Sequence, residues 1–374
     1  MAAIVKTSGL RPAKQWATRL FMLALVGLTL AQASKSFSTD PRLATVLLAL
    51  VLGISNKTKT TNQEHTTSAS ILPVPAAPVI LAAWLLLSAT WSSAAISQIL
   101  AQVVFICMLV LLIKASIQRH IDIQSAIAII GLGVIGVSAY LWFVTPSEAL
   151  VGGRLSGMLA NANTLADTIV LTTPAIASWK RGSWTMWGIS LGMVWATGSR
   201  GALLALLVAL SLTLLGNANL GGKIAILFGL TFAAYLAIPT IIQEAAGASA
   251  GSATMLRSND SRAVVWGLAW DLAQQHILRG SGLGSLAAET GSSPLSVLIV
   301  SGAVGIVLAS TAIFGAFRNQ SSIGDWRLIT VAGGSVAALT EGWLISAGTI
   351  FCAIYWICVV SLIVNPTTQK KRVA

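Results

Sequence analysis

Charged residues are scarce in this sequence. Asp, Glu, Lys and Arg make up 9% of its 374 residues, whereas a soluble domain carries about 25%. Hydrophobic residues make up 55%, so the remaining polar residues are too few to cover a water-exposed surface. This scarcity excludes an ordinary soluble protein and predicts an all-α integral membrane protein.

Cysteine is also scarce, and acidic residues are outnumbered by basic ones. Cys107, Cys352 and Cys358 lie inside apolar runs, which excludes a disulfide framework and gives no metal spacing, so we expect no metal and no cofactor. The 23 Lys and Arg residues outnumber the 11 Asp and Glu residues, for a net charge of +12. Most basic residues flank apolar runs, a pattern that indicates membrane orientation and excludes a nucleic-acid partner.

Long apolar runs fill most of the chain. A membrane-spanning helix needs about 20 mostly apolar residues, and we count about twelve such segments. They lie at about residues 16–34, 41–55, 71–91, 98–115, 125–144, 164–179, 184–198, 201–217, 224–242, 295–315, 328–345 and 349–364. The last two can also be read as one broken hairpin. The first has a second interpretation as a signal peptide ending at Ala31-Gln32-Ala33, which leaves the other spans unchanged.

The basic residues predict the orientation. A cytoplasmic N-terminus places sixteen of the 23 Lys and Arg residues on the cytoplasmic side and seven on the outer side. Because cytoplasmic loops are enriched in Lys and Arg, both termini are predicted to be cytoplasmic. The seven outer residues are Lys35, Arg42, Arg154, Arg200, Arg257, Arg262 and Arg279.

Residues 1–374 therefore form one predicted polytopic membrane domain with two notable loops. Residues 56–70 are polar and predict a flexible cytoplasmic loop. Residues 243–294 form the largest outer loop. Within it, residues 261–277 place apolar side chains at helical spacing and add Trp266 and Trp270, which predicts an amphipathic helix at the membrane surface.

Three outer arginines lie near predicted helix starts. Residues 164–198 form a hairpin of two spans, so Arg154 before it and Arg200 after it are expected to be close in space. Arg262 begins the amphipathic helix on the same side. Asn161 and Asn163 can cap the sixth span, and Ser199 can cap the eighth. Arginines at helix N-termini favour an anion, here a membrane-embedded diphosphate, although a single arginine can also reach lipid headgroups.

Several motifs follow one another between residues 150 and 365. They are Arg154-x-x-Gly157, Asn161-x-Asn163-x-x-Ala166, Ser199-Arg200-Gly201-Ala202, Arg262-x-x-x-Trp266, the stretch Leu278 to Ser285, Gly302-x-x-Gly305, and Glu341 with Ser346. Their order and spacing resemble those of the O-antigen ligase and polymerase superfamily of bacterial membrane proteins.

The resemblance implies a metal-independent, multi-pass glycosyltransferase of the bacterial inner membrane, active on the periplasmic side. Its donor would be an undecaprenyl-diphosphate-linked glycan, and its acceptor a lipid, such as the lipid A core of lipopolysaccharide, or a growing glycan. Arg200 and Arg262 would hold the pyrophosphate. The motif residues expected to contribute to substrate binding are Arg154, Asn161, Asn163, Ser199 and Arg279.

One family feature is missing. Ligases carry a His-Asn pair before the helix glycines, but here the histidine position is Gly291. The outer-side His276 is expected to be a polar residue of the surface helix. Glu289 can serve as the base instead, catalysis can depend on leaving-group stabilisation, or the chain is a relative with altered or lost activity.

Two alternatives to a ligase stay open. The missing pair favours an O-antigen or exopolysaccharide polymerase of the same superfamily. A lipid-linked glycan transporter or flippase belongs to a different class of protein. That class is expected to show ionisable residues or broken helices near the bilayer midplane, whereas the charges here cluster at one face and only Glu341 is predicted to lie deep within a span.

Overall fold

The computed structural model describes residues 12–33, 76–118, 121–179, 184–217, 262–285, 290–318, 322–346 and 348–364. About 81% of this part is helical, as expected where backbone polar groups must be satisfied within the chain. Its two strands, β1 (Leu150–Val151) and β2 (Arg154–Leu155), form an antiparallel hairpin. The predicted all-α class is therefore confirmed for the part of the chain that the structure describes.

The helices account for the apolar segments. In chain order they are α1 Pro12–Ala33, α2 Ala76–Leu87, α3 Ile96–Gln118, α4 Ile123–Val144, α5 Pro146–Ala149, α6 Ala162–Trp179, α7 Trp184–Thr197, α8 Arg200–Asn217, α9 Arg262–Gln275, α10 Ser293–Arg318, α11 Trp326–Thr340 and α12 Ile350–Val364. A 3₁₀ helix, Ser88–Trp91, continues α2. Each predicted segment within the described residues coincides with a helix. Segments 41–55 and 224–242, and the loop 56–70, lie outside the described residues.

Three stretches are long and apolar enough to cross a membrane: Ile96–Ile117, Ile123–Val144 and Ser293–Arg318. Large apolar side chains also face outward, and Phe143 and Phe314 are 83% and 67% exposed. Extensive exposed apolar surface is unfavourable in water. It therefore indicates contact with membrane lipid.

Helices α6 and α12 form the centre of the described core. Each is buried on all sides for most of its length, over residues 165–177 and 350–362. Helix α6 packs against α4, α7, α8 and α11. Two contacts, one between Asn163 and Glu341 and one between Gly201 and Thr340, bring the starts of α6 and α8 and the end of α11 to the same end of the bundle.

Helix α10 is broken at Gly302, which has a φ of 67°. The segment after α9 fills the break and hydrogen-bonds to both halves of the helix. The amides of Ser281 and Gly282 donate to the carbonyls of Ile299 and Val300, at 2.6 and 3.0 Å. Past the break, the amide of Ala303 donates to the carbonyl of Ile277 at 2.8 Å. The backbone groups exposed by the break are thus satisfied by protein.

A second irregular stretch separates α11 from α12. Helix α11 ends at Thr340, and Glu341 is extended, with φ −139° and ψ 140°. The carbonyl of Leu344, in the irregular stretch, accepts a hydrogen bond from Nε1 of Trp356 at 2.8 Å. The prediction that a span continues to residue 345 with Glu341 inside it was therefore wrong, because the chain leaves the helix at Glu341.

A helix, α9, is present at the segment predicted to be amphipathic. Ala269 and Ala273 are buried against the rest of the protein, and α9 packs on α10. Its larger apolar side chains, including Trp266, Leu268 and Trp270, are exposed. The exposed tryptophan and leucine side chains indicate contact with membrane lipid, whereas a position at the membrane surface stays a prediction.

Candidate functional site

Arg154 joins the two arginine-bearing segments. It lies in strand β2, and its Nε donates a hydrogen bond to the carbonyl of Thr197 at 2.7 Å. Thr197 ends α7 and comes just before Arg200, the first residue of α8. The predicted proximity of the Arg154 and Arg200 segments is therefore observed. Arg154 is also half-buried, so its guanidinium is held against the protein.

Two asparagines organise the start of α6. The Oδ1 of Asn161, directly before the helix, accepts from the backbone amide of Asn163 at 2.8 Å, which is the geometry of an N-cap. Asn163 lies in the first turn and has a different role. Its Oδ1 accepts from Nη2 of Arg154, and its Nδ2 donates to Oε1 of Glu341 at 2.8 Å. Asn163 thus bridges a cation and a carboxylate from distant parts of the chain.

Glu341 is anchored at the helix break rather than inside a span. Besides the bond from Asn163 to its side chain, the carbonyl of Glu341 accepts from Oγ of Ser293. The same Ser293 hydroxyl accepts from the amide of Leu344 at 3.0 Å. Glu341 is therefore hydrogen-bonded to two other helices, α6 through Asn163 and α10 through Ser293.

Ser293 and Thr197 have roles that the sequence interpretation missed. Ser293 begins α10 and precedes Pro294, and such a pair is a helix-start signal that was available in the sequence. Thr197 contributes a backbone carbonyl, so its residue type carries no signal. We name the connected set Arg154, Asn163, Thr197, Ser293 and Glu341 the Arg154–Glu341 network.

Arg200 lies at the edge of this network. Its side chain is exposed, and it begins α8, where backbone N–H groups lack intrahelical partners. Ser199 precedes it and is buried, and its carbonyl accepts from the amide of Leu203 at 3.0 Å. Gly201 contacts Thr340 closely, which fixes the start of α8 beside the end of α11. Arg200 is therefore an accessible cation on a well-fixed helix start.

Three other predicted site residues are Arg262, Glu289 and Arg279. Arg262 begins α9, but its side chain lies outside the described part, as does all of Glu289. Arg279 is exposed and lines a cavity with His276. The assembly of Arg200, Arg262 and Glu289 into one catalytic centre therefore stays a prediction.

No family model matches the chain, and no curated protein matches it. Within the described ranges there is no group of three or more His, Cys, Asp or Glu residues that could hold a metal ion.

The network predicts a specific cost for losing Asn163. We expect Asn163→Ala to destabilise the protein by about 1–3 kcal/mol, because Arg154 and Glu341 each lose a hydrogen-bond partner in a partly buried setting. Thermal unfolding of the purified protein in detergent measures the effect. The matched control is Gln124→Ala, since the Gln124 amide also bonds to α6, at the exposed hydroxyl of Ser178. If the two variants lose the same amount of stability, the network does not stabilise the protein more than an ordinary surface hydrogen bond does.

Proposed function

We propose that this chain is a membrane-embedded glycan transferase similar to O-antigen ligases. It moves a glycan from an undecaprenyl-diphosphate donor to an acceptor hydroxyl on the periplasmic side of a bacterial inner membrane. The proposal includes about twelve spans with both termini in the cytoplasm, in keeping with the bilayer length rule and the distribution of basic residues.

The contact between Arg154 and Thr197 is the observation that carries this proposal. It joins the two arginine segments at one end of the bundle and leaves Arg200 exposed at the start of α8. A guanidinium group and a helix N-terminus both favour phosphate oxygens. Arg154 is hydrogen-bonded to the carbonyl of Thr197 and to Asn163, so we assign it a positioning role. Arg200 is the better candidate for contact with the diphosphate.

The proposed reaction is a displacement at the anomeric carbon of the donor sugar. The acceptor oxygen forms a bond to that carbon, and the bond to the diphosphate oxygen breaks with its electron pair leaving on the diphosphate. Arg200, with Arg262 as the second proposed cation, stabilises the charge of the leaving group. Glu289 is the proposed acceptor of the hydroxyl proton.

A reconstituted assay tests this function. The purified protein is given an undecaprenyl-diphosphate-linked glycan together with a lipid A core acceptor or a second donor-linked repeat unit. We expect undecaprenyl diphosphate to be released only when an acceptor is extended. Extension of lipid A core indicates a ligase, and extension of the repeat unit indicates a polymerase. Release without extension indicates a hydrolase and contradicts transfer.

A transporter of lipid-linked glycans is the second candidate, and the two helix breaks favour it. Broken helices are typical of transporter binding sites, and α10 is interrupted at Gly302 while residues 341–349 separate α11 from α12. The break between α11 and α12 agrees with the alternative interpretation of the last two segments as one broken hairpin. In the same assay, bound donor that is never cleaved, but is moved across a vesicle membrane, would replace the transferase proposal.

A further inference from the structure

A cavity of about 530 Å³ with polar and apolar lining residues lies between the 3₁₀ helix after α2, the end of α9 and the turn at Gly280. Its volume falls within the roughly 300–1,000 Å³ of small-molecule sites. We name it the Arg279 cavity. The lining residues that bear on its chemistry are Trp91, Gln98, Gln275, His276, Arg279 and Ser285.

The walls of the Arg279 cavity are fixed by hydrogen bonds between distant segments. Nε1 of Trp91 donates to the carbonyl of Gly280 at 3.2 Å. The amide of Gly280 donates to the carbonyl of His276 at 2.7 Å, and the amide of Ser281 donates to the carbonyl of Ile299 at 2.6 Å. These bonds tie the end of α9 to both the 3₁₀ helix and α10. The cavity is thus formed before any ligand binds, which lowers the entropy cost of binding.

The lining residues combine positive charge with groups that bind hydroxyls. Arg279 supplies the cation, and no lining residue is Asp or Glu. Gln98 and Gln275 are exposed, and each carries an amide that can both donate and accept. The Oγ of Ser285 is buried and has no hydrogen-bond partner within the described part of the chain.

We propose that the Arg279 cavity binds an acidic saccharide, meaning a sugar that carries a carboxylate or a phosphate. Arg279 pairs with the acidic group, while Gln98, Gln275 and His276 bond to ring hydroxyls. A lipid headgroup phosphate alone would use the cation and would leave both glutamine amides without a role. This feature is what favours a saccharide over a phospholipid.

The assignment rests on the proposed function in one respect, since under that function the saccharide in this cavity is the acceptor glycan. The cavity shares no lining residue with the Arg154–Glu341 network. A donor held near Arg200 and an acceptor held near Arg279 would then occupy separate subsites. Binding of the saccharide itself can be measured without any transfer reaction.

Titration calorimetry on the purified full-length protein in neutral detergent tests the proposal. The probes are a disaccharide containing glucuronate, its uncharged glucose counterpart and inorganic phosphate. We expect the acidic disaccharide to bind at least about tenfold more tightly than either of the others. Its charge strengthens the bonds from Arg279 relative to the glucose counterpart, and its ring hydroxyls reach the two glutamines, which phosphate cannot do. Arg279→Gln should remove its advantage over the uncharged disaccharide. Equal affinity of the wild-type protein for both disaccharides would overturn the proposal.

Two neighbouring glutamines on α9 provide a matched pair of variants. Gln275 lines the cavity, whereas Gln274 is also exposed and is not among the lining residues. Gln275→Ala should weaken both disaccharides about fivefold to tenfold, the effect of one lost hydrogen bond, and Gln274→Ala should change neither. Identical results for the two variants, or displacement of the acidic disaccharide by phosphatidylglycerol vesicles, would overturn a saccharide site.

Binding of undecaprenyl diphosphate separates this proposal from the proposed function. Gln275→Ala should leave that binding unchanged, and a parallel loss would overturn the assignment of a separate site. If the wild-type protein binds the acidic disaccharide but no lipid diphosphate, the proposed function fails and the saccharide site stands. If it binds lipid diphosphate but no disaccharide, the saccharide site fails alone.

Discussion

Replacing Gly302 with alanine is expected to destabilise the protein by roughly 2–6 kcal/mol, the combined cost of a strained backbone and an overpacked contact. Gly302 has a φ of 67°, which L-residues with a side chain rarely adopt. A Cβ at this position would also lie 2.2 Å from the carbonyl oxygen of Leu278. Both effects act at the break in α10.

The turn cannot move away to relieve this clash without losing other bonds. The amides of Ser281, Gly282 and Ala303 all donate hydrogen bonds across the break. In addition, Nε1 of Trp84 donates to the carbonyl of Ser301 at 2.9 Å. Displacing the turn would leave such buried groups unsatisfied, which costs about 1–3 kcal/mol for each group. We therefore expect a large loss of stability.

Thermal unfolding and hydrogen exchange measure this effect. The Gly302→Ala protein should unfold at a clearly lower temperature and show faster exchange at the amides of residues 281 and 282. Gly133→Ala in α4 is the matched control, because a Cβ there meets nothing within 4 Å. If Gly302→Ala unfolds no earlier than Gly133→Ala, the break is not held by the contacts described above.

The positions of the helices were predictable, since they depend on local composition. Runs of apolar residues select helices whatever they pack against, and an asparagine directly before such a run predicts the cap that Asn161 forms. The meeting of the Arg154 and Arg200 segments followed from the hairpin between them. These features depend on chain order and on short-range preferences.

The helix breaks were not predictable from apolar runs. Residues 295–315 are mostly apolar, and a glycine inside such a run is usually tolerated in the helix. The break exists because a distant segment, Ile277 to Gly282, supplies replacement hydrogen bonds. Glu341 was misplaced for the same reason, because its partners Asn163 and Ser293 come from other helices.

Arg200→Ala is expected to lower glycan transfer by about 100-fold or more, the usual cost of removing one group that stabilises developing negative charge. Arg200 is exposed at the start of α8, beside the Thr197 carbonyl that holds Arg154. Its fork of N–H donors and the positive end of the α8 helix dipole can bind the same diphosphate. Initial rates of undecaprenyl diphosphate release, with saturating acceptor, measure the change.

Two further variants make the Arg200 result interpretable. Arg200→Lys keeps the charge but loses the planar fork, so its rate should fall between those of the wild type and Arg200→Ala. Arg318→Ala removes an exposed arginine from the last turn of α10 and should transfer glycan at the wild-type rate. All three variants should unfold near the wild-type temperature, since neither arginine is buried. Full activity in Arg200→Ala would exclude Arg200 from the diphosphate site, and the transporter interpretation of the helix breaks would then become the stronger one.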